Sequence, residues 1–227
     1  MDAINTPSSS DTEGAADFSN HPELLFTTLG LQPYEPIWQK MKTFVTERTD
    51  SSSDEVWLLE HEPVFTLGQA GRREHILNAQ DIPIIQSDRG GQVTYHGPGQ
   101  LVAYLMIDTH RRGWHSRHLV TQIEQALIDL LAELGITAQN RSDAPGVYTE
   151  NGYKIASLGL RMKRKSSYHG LALNVDMDLN PFKRINPCGH EGMQMTQIRD
   201  YVPDITMQQA TQLLKRVLSN RLNQTPA

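Results

Sequence analysis

Cys188 is the lone cysteine of the chain, and it stands in Asn186-Pro187-Cys188-Gly189, a stretch without apolar periodicity. A free cysteine is most often a small buried hydrophobe, and that reading stays open here. The neighbours suggest another. Proline before and glycine after fix a tight turn that can present a side chain and leave backbone N–H groups nearby. A thiol nucleophile with an oxyanion hole needs that arrangement. The free thiol pKa is about 8.5, so the nucleophile also needs a cation to favour its thiolate. Lys154 precedes Ile155-Ala156-Ser157-Leu158-Gly159, a small-residue strand with the pattern of a buried one. A lysine entering such a strand is costly unless it has a partner or a task. The competing reading is a side chain that snorkels from a strand end.

A second group of candidates lies in Arg89-Gly90-Gly91-Gln92-Val93-Thr94-Tyr95-His96-Gly97-Pro98-Gly99-Gln100. Its glycines allow close backbone approach to a ligand, Arg89 carries a fork of donors, and His96 ends a strand. The stretch lacks the Gly-Lys-Ser/Thr of a phosphate loop and the Gly-x-Gly-x-x-Gly of a dinucleotide site. Two turns around a strand explain it equally well. His169-Gly170-Leu171-Ala172 has a similar make-up. For either histidine alone, a satisfied structural role is the commoner outcome. No His/Asp/Glu grouping has a metal-ligand spacing, so no metal is expected. Arg161, Lys163, Arg164 and Lys165 form a basic run that reads as a solvated turn or as a docking patch for an acidic carrier protein.

These residues need elements to hold them. Apolar spacing at Ile37, Trp38, Met41, Phe44 and Val45 predicts a helix over 34–48, after a strand that ends at 29–32. Residues 56–59 and 64–67 read as strand segments split by His61-Glu62-Pro63, and 82–86 and 92–95 as further strands. The nearly continuous apolar run 101–107 predicts a central strand. Residues 116–134 carry Val120, Ile123, Leu127, Leu130, Leu131 and Leu134 on one helical face, stopped by Gly135. Strands follow at 146–148, 154–162 and 170–175, with Asn151-Gly152 as a hairpin turn and 181–195 as loop. Thr206 and Gln209 form a capping box for a last helix. Consecutive strands outnumber helices, which favours α+β over a doubly wound sheet.

Composition narrows the class. The chain has 227 residues, 38% apolar and 21% charged, enough for one domain with a real core. Its net charge of −5 argues against the broad basic field that nucleic acid favours. One cysteine precludes an intramolecular disulfide and suits a reducing cytoplasm. No apolar run approaches the length of a membrane-spanning helix, and the start has no secretory pattern. Residues 1–20, rich in Ser, Asp and Gly, are expected to be a disordered tail before a domain over 21–227.

Taken together, residues 89–100, 154–159, 169–174 and 186–189 resemble the signature segments of LipB-type octanoyltransferases, and Leu29-Gly30 and residues 61–68 fit the same family. The resemblance runs from about 29 to about 201. It implies a single domain with the fold of biotin and lipoate protein ligases, which is class II synthetase-like: a mixed sheet flanked by helices. It implies a catalytic pair, Cys188 and Lys154. It also implies an acyl-substrate pocket from Arg89, Gly90, Gly91, Gln92, Val93, Thr94, Tyr95 and His96, with Ser157, Leu158, Gly159, Gly170, Leu171 and Ala172. The implied acyltransferase moves octanoyl from octanoyl-acyl carrier protein to a lysine of lipoyl domains in 2-oxoacid dehydrogenase complexes and the glycine cleavage H protein. It needs no cofactor, and it acts as a cytoplasmic monomer. An ATP-dependent lipoate ligase of the same fold is the nearest alternative. In its place at His96-Gly97-Pro98-Gly99-Gln100 a ligase carries His-Asp and a following Gly-Asn. A thioesterase and a non-catalytic acyl-binding module are the remaining rivals.

Overall fold

The structure is a computed structural model that describes residues 24–223. The serine-rich segment 1–20 lies outside the described residues. Among the described residues, three α-helices and two sheets make up the fold. Strand β1 (Leu24–Gln32) leads into helix α1 (Tyr34–Glu47) and then strand β2 (Asp54–His61). β1 and β2 pair in parallel across that helix. β3 (Val64–Leu67), β4 (Ile84–Gln86) and β5 (Val93–His96) form a small sheet of their own, in the order β4-β3-β5. The joint at residues 61–63 therefore switches the chain from one sheet to the other.

The large sheet is completed by β6 (Gln100–Met106), β7 (Ala138–Asn140), β8 (Gly146–Thr149), β9 (Lys154–Lys163) and β10 (Ser166–Asn174). Its order is β1-β2-β6-β10-β9-β8-β7, and every pair after β1–β2 is antiparallel. β6 is buried along its whole length, as a strand covered on both faces must be. Leu101, Ala103 and Leu105 face helices α2 (Ser116–Glu133) and α3 (Met207–Leu222). Val102, Tyr104 and Met106 face α1, which presents Ile37, Met41 and Val45 at helical spacing.

The local signals are realised. Gly135 takes φ +74° at the end of α2, and Ile136 N–H returns to Leu131 O. At α3 the Thr206 hydroxyl accepts from Gln209 N–H, and Gln209 Oε1 accepts from Thr206 N–H. Gly152, at φ +77°, closes the β8–β9 hairpin. Residues 181–195 are less irregular than a plain loop, because short 3₁₀ turns occupy Asn180–Arg184 and Pro187–Gly189. Away from the site, the buried Asp54 carboxylate gathers Arg48, Arg111 and Arg112. Arg112 also donates to Leu222 O, which ties the end of α3 to the start of β2.

Candidate active site

A narrow, partly open pocket lies between the small sheet and the α1 face of the large one. Thr94 and His96 of β5 reach it because strand side chains alternate, and Tyr95 between them packs the other way against Phe65 and Phe182. Of the residues expected to line a pocket, Arg89, Gly91, Gln92, Val93, Thr94, His96, Ser157, Leu158, Gly159, Gly170, Leu171 and Ala172 all border this cavity. Gly90 does not: its N–H donates to Leu160 O at 3.1 Å, anchoring the loop to β9. Four further residues complete the wall, Tyr34, Val102, Tyr104 and His169. Tyr104 carried a usable signal, since a phenol inside the apolar run of β6 must find a partner.

Arg89 uses its fork on the protein. Nε donates to Thr66 Oγ1 at 3.0 Å, Nη1 to Gly90 O at 2.9 Å, and Nη2 to Gln92 O at 2.7 Å and to Thr66 O. It staples the Gly90-Gly91 loop to β3. Any side chain at Gly68 would strike this loop, with a Cβ 2.3 Å from Gly91 O.

The histidines and phenols in the wall and just behind it are neutral. His61 Nδ1–H donates to Gln32 O at 2.9 Å, so Nε2 accepts the Tyr104 hydroxyl at 2.6 Å. Burial lowers the pKa of His61 to about 4. Burial, helped by His61 and Arg89, holds His96 well below the usual range, and its Nδ1 meets Gln100 Oε1 at 2.7 Å. Burial pushes the Tyr34 phenol up to about 12, and its hydroxyl pairs with Ser87 Oγ at 2.7 Å. Asp88 behaves oppositely. Burial would raise its pKa, but donors from His169, Tyr168 and Trp38 outweigh that and keep the carboxylate charged.

Lys154 opens β9 and is fully buried. Its Nζ donates to Pro145 O at 2.8 Å and lies 5.3 Å from the Tyr148 ring centroid. Gly146 makes room for it: a Cβ there would come within 2.6 Å of Lys154 Cε. Gly146 is also the register partner of Ser157, so the ammonium sits level with one end of the cavity. The turn that carries Cys188 is tied at both sides. Asn186 N–H donates to His75 O, and a Cβ on Gly189 would lie 3.5 Å from Gln92 Cγ. Beyond the turn, Lys154 N–H donates to Gln194 O, and Thr196 N–H to Lys154 O. The backbone on either side of Cys188 thus bridges the cavity residue Gln92 and the strand of Lys154. Gly189 N–H is taken by Asn186 O, as Gly90 N–H is by Leu160 O, which removes both as oxyanion donors.

No helix of the described residues is long and apolar enough to cross a membrane. The description Lipoyl protein ligase A/B catalytic domain belongs to the family profile matched by residues 33–219. A protein named octanoyltransferase from Pseudomonas putida (strain W619) is 57% identical over 198 residues, 87% of this chain and 92% of that one. Another octanoyltransferase, from Hahella chejuensis (strain KCTC 2396), is 60% identical over 183 residues, 81% of each chain. Among solved structures, a lipoate-protein ligase A bound with ATP superposes with a TM-score of 0.72 at 15% identity, covering 89% of this chain and 86% of the ligase. Biotin protein ligase from Aquifex aeolicus, in complex with biotin and ATP, gives 0.56 at 12% identity, with 88% and 69% covered. These two likenesses concern the fold alone.

Proposed function

The chain belongs to the lipoyl protein ligase A/B catalytic domain family, and on that premise we propose that it moves an octanoyl group from octanoyl-acyl carrier protein to the lysine amine of lipoyl domains, through a thioester on Cys188. The carrying observation is Lys154: a fully buried ammonium, level with one end of the pocket, on the strand that pairs with the chain leaving the Cys188 turn.

The chemistry follows from that ammonium. Lys154 favours the Cys188 thiolate over the thiol. The thiolate attacks the donor's thioester carbonyl, the C–S bond to the carrier breaks, and the departing carrier thiolate takes a proton. That proton comes from Lys154. The lipoyl-domain amine then attacks the acyl-enzyme, Cys188 leaves as thiolate, and the proton lost by the amine returns to Lys154. Thioester exchange is near balance and amide formation is downhill, so the sequence needs no ATP. The octanoyltransferases at 57% and 60% identity support this over the ATP-dependent alternative, whose relatives here match at 15% identity and in fold only. The acceptors are the lipoyl domains of 2-oxoacid dehydrogenase complexes and the glycine cleavage H protein. A nucleophilic thiol of this kind works as a free cysteine in the reducing cytoplasm, here in a monomer.

Intact-protein mass spectrometry after mixing with octanoyl-acyl carrier protein tests the route. The parent gains one octanoyl increment, which a lipoyl domain discharges, and Cys188→Ala gains none. A lipoyl domain modified at the parent rate by Cys188→Ala would refute covalent catalysis.

A further inference from the structure

The strand registers give the cavity a direction. One end is the level of Ser157, beside Lys154; the other is Leu160, which pairs with His169 on β10. Three residue steps of β9 separate them, about 10 Å. The seven C–C bonds of an extended octanoyl group span about 9 Å. If the acyl carbon reacts near Lys154, the last carbon therefore arrives at His169.

That far end is built from rings, and His169 is the unusual one. It adopts φ +58° within an otherwise extended strand, a left-handed conformation that costs energy for a residue other than glycine. Its ring is 1% exposed. Nε2 lies 2.8 Å from Asp88 Oδ1, and Asp88 also accepts from Trp38 Nε1 at 2.7 Å and from the Tyr168 hydroxyl at 2.6 Å. A carboxylate held by three donors can only accept, so Nε2 carries the hydrogen and Nδ1 keeps a lone pair. Burial lowers the His169 pKa, so the ring stays neutral. Nδ1 is buried and has no partner among the described protein groups. Strain, a fixed tautomer and an unmatched acceptor thus coincide on one cavity wall.

Resting on the transfer reading above, we propose that His169 Nδ1 is a specificity contact for the distal end of the acyl chain, so that the site takes medium-length acyl groups bearing a terminal hydroxyl as well as plain ones. The hydroxyl donates to Nδ1 and recovers the hydrogen bond it gives up in leaving water. An apolar end would leave that bond unmade and disfavour the hydroxyl.

Two acids with the same number of heavy atoms make the test, 8-hydroxyoctanoic and nonanoic acid, titrated calorimetrically into the parent and into His169→Phe. In the parent, the hydroxy acid binds no more than about threefold more weakly than nonanoic acid. In His169→Phe, that ratio worsens by about tenfold or more, because a wall without an acceptor discriminates against a hydroxyl. A parent that prefers nonanoic acid by more than threefold overturns the proposal. So does a parent that binds neither acid, and so does a folded variant whose ratio shifts less than tenfold. The parent ratio decides the matter if the variant does not fold. Octanoyl transfer from the carrier is measured alongside. Its absence with the binding ratios intact defeats the transfer reading and leaves this one standing.

Discussion

Replacing Lys154 by methionine keeps most of the stem and removes the charge. Lys154 is fully buried, so its ammonium acts with little solvent screening. A pair of unit charges about 4 Å apart at an effective dielectric of about 20 interact by about 4 kcal/mol. That is about 3 pK units on the thiol. Below neutral pH the thiolate fraction therefore falls about 1,000-fold in Lys154→Met. The more basic thiolate is also a better nucleophile, with a Brønsted slope of about 0.45, which returns about 20-fold. The net expectation is about 50-fold slower acyl-enzyme formation at low pH, a deficit that closes and then reverses as pH rises toward the variant's higher thiol pKa. The fold should survive. Losing the bond to Pro145 O costs about 1.5–3 kcal/mol, while relief from a buried charge offsets it. Iodoacetamide alkylation of Cys188 across pH reads the thiol directly, with octanoyl loading measured beside it. An alkylation midpoint unchanged from the parent would refute the pairing of Cys188 with Lys154.

Gly170→Ala should destabilise the protein by about 3 kcal/mol in urea unfolding, because its Cβ would lie 2.0 Å from Ala103 O, a backbone atom that cannot step aside; a loss below about 1 kcal/mol contradicts that packing. Stability should fall as pH drops from about 6.5 to about 4, since His61 titrates at about 4 when folded and at 6.5 when unfolded, so the unfolded chain binds the proton first. His61→Gln should escape about 3 kcal/mol of that loss, and an equal acid sensitivity in the variant would sink the assignment. Arg164 and Lys165 are exposed at the tip of the β9–β10 hairpin. Reversing both to glutamate should lower kcat/KM for octanoyl-acyl carrier protein about tenfold at low salt and leave octanoyl-pantetheine unaffected. Unchanged kinetics at low salt would leave them as a solvated turn.

Where a short-range rule governs, the chain could be read directly. The stripe of Ile123, Leu127, Leu130 and Leu131, the Thr206 capping box and the Asn151-Gly152 turn are local, and each stands where its residues place it, although at the head of that helix Leu119 rather than Val120 takes the buried position. β7 escaped because Ala138-Gln139-Asn140 is three residues long, polar and at a sheet edge, with no alternation to reveal it. β1 is longer than its readable end at 29–32, since its first half is a partly exposed edge without a period. The division into two sheets is a tertiary fact with no local marker at residues 61–63. The cavity wall divides in the same way. Its glycine-rich stretches announce close approach, whereas Tyr34 and Val102 belong by tertiary folding alone. Arg89 offered a ligand-binding fork in sequence, but the carbonyls of Thr66, Gly90 and Gln92 claim it in the fold.

The Cys188 turn is short and held by backbone bonds on both sides, at His75 before it and at Lys154 after it. A nucleophile on such a turn has no arm to swing. On the thioester route proposed above, the acyl group leaves from the same spot where it is loaded, so donor and acceptor proteins take turns on one face of the enzyme. Initial-rate plots should then show parallel lines, with each protein at high concentration inhibiting competitively against the other.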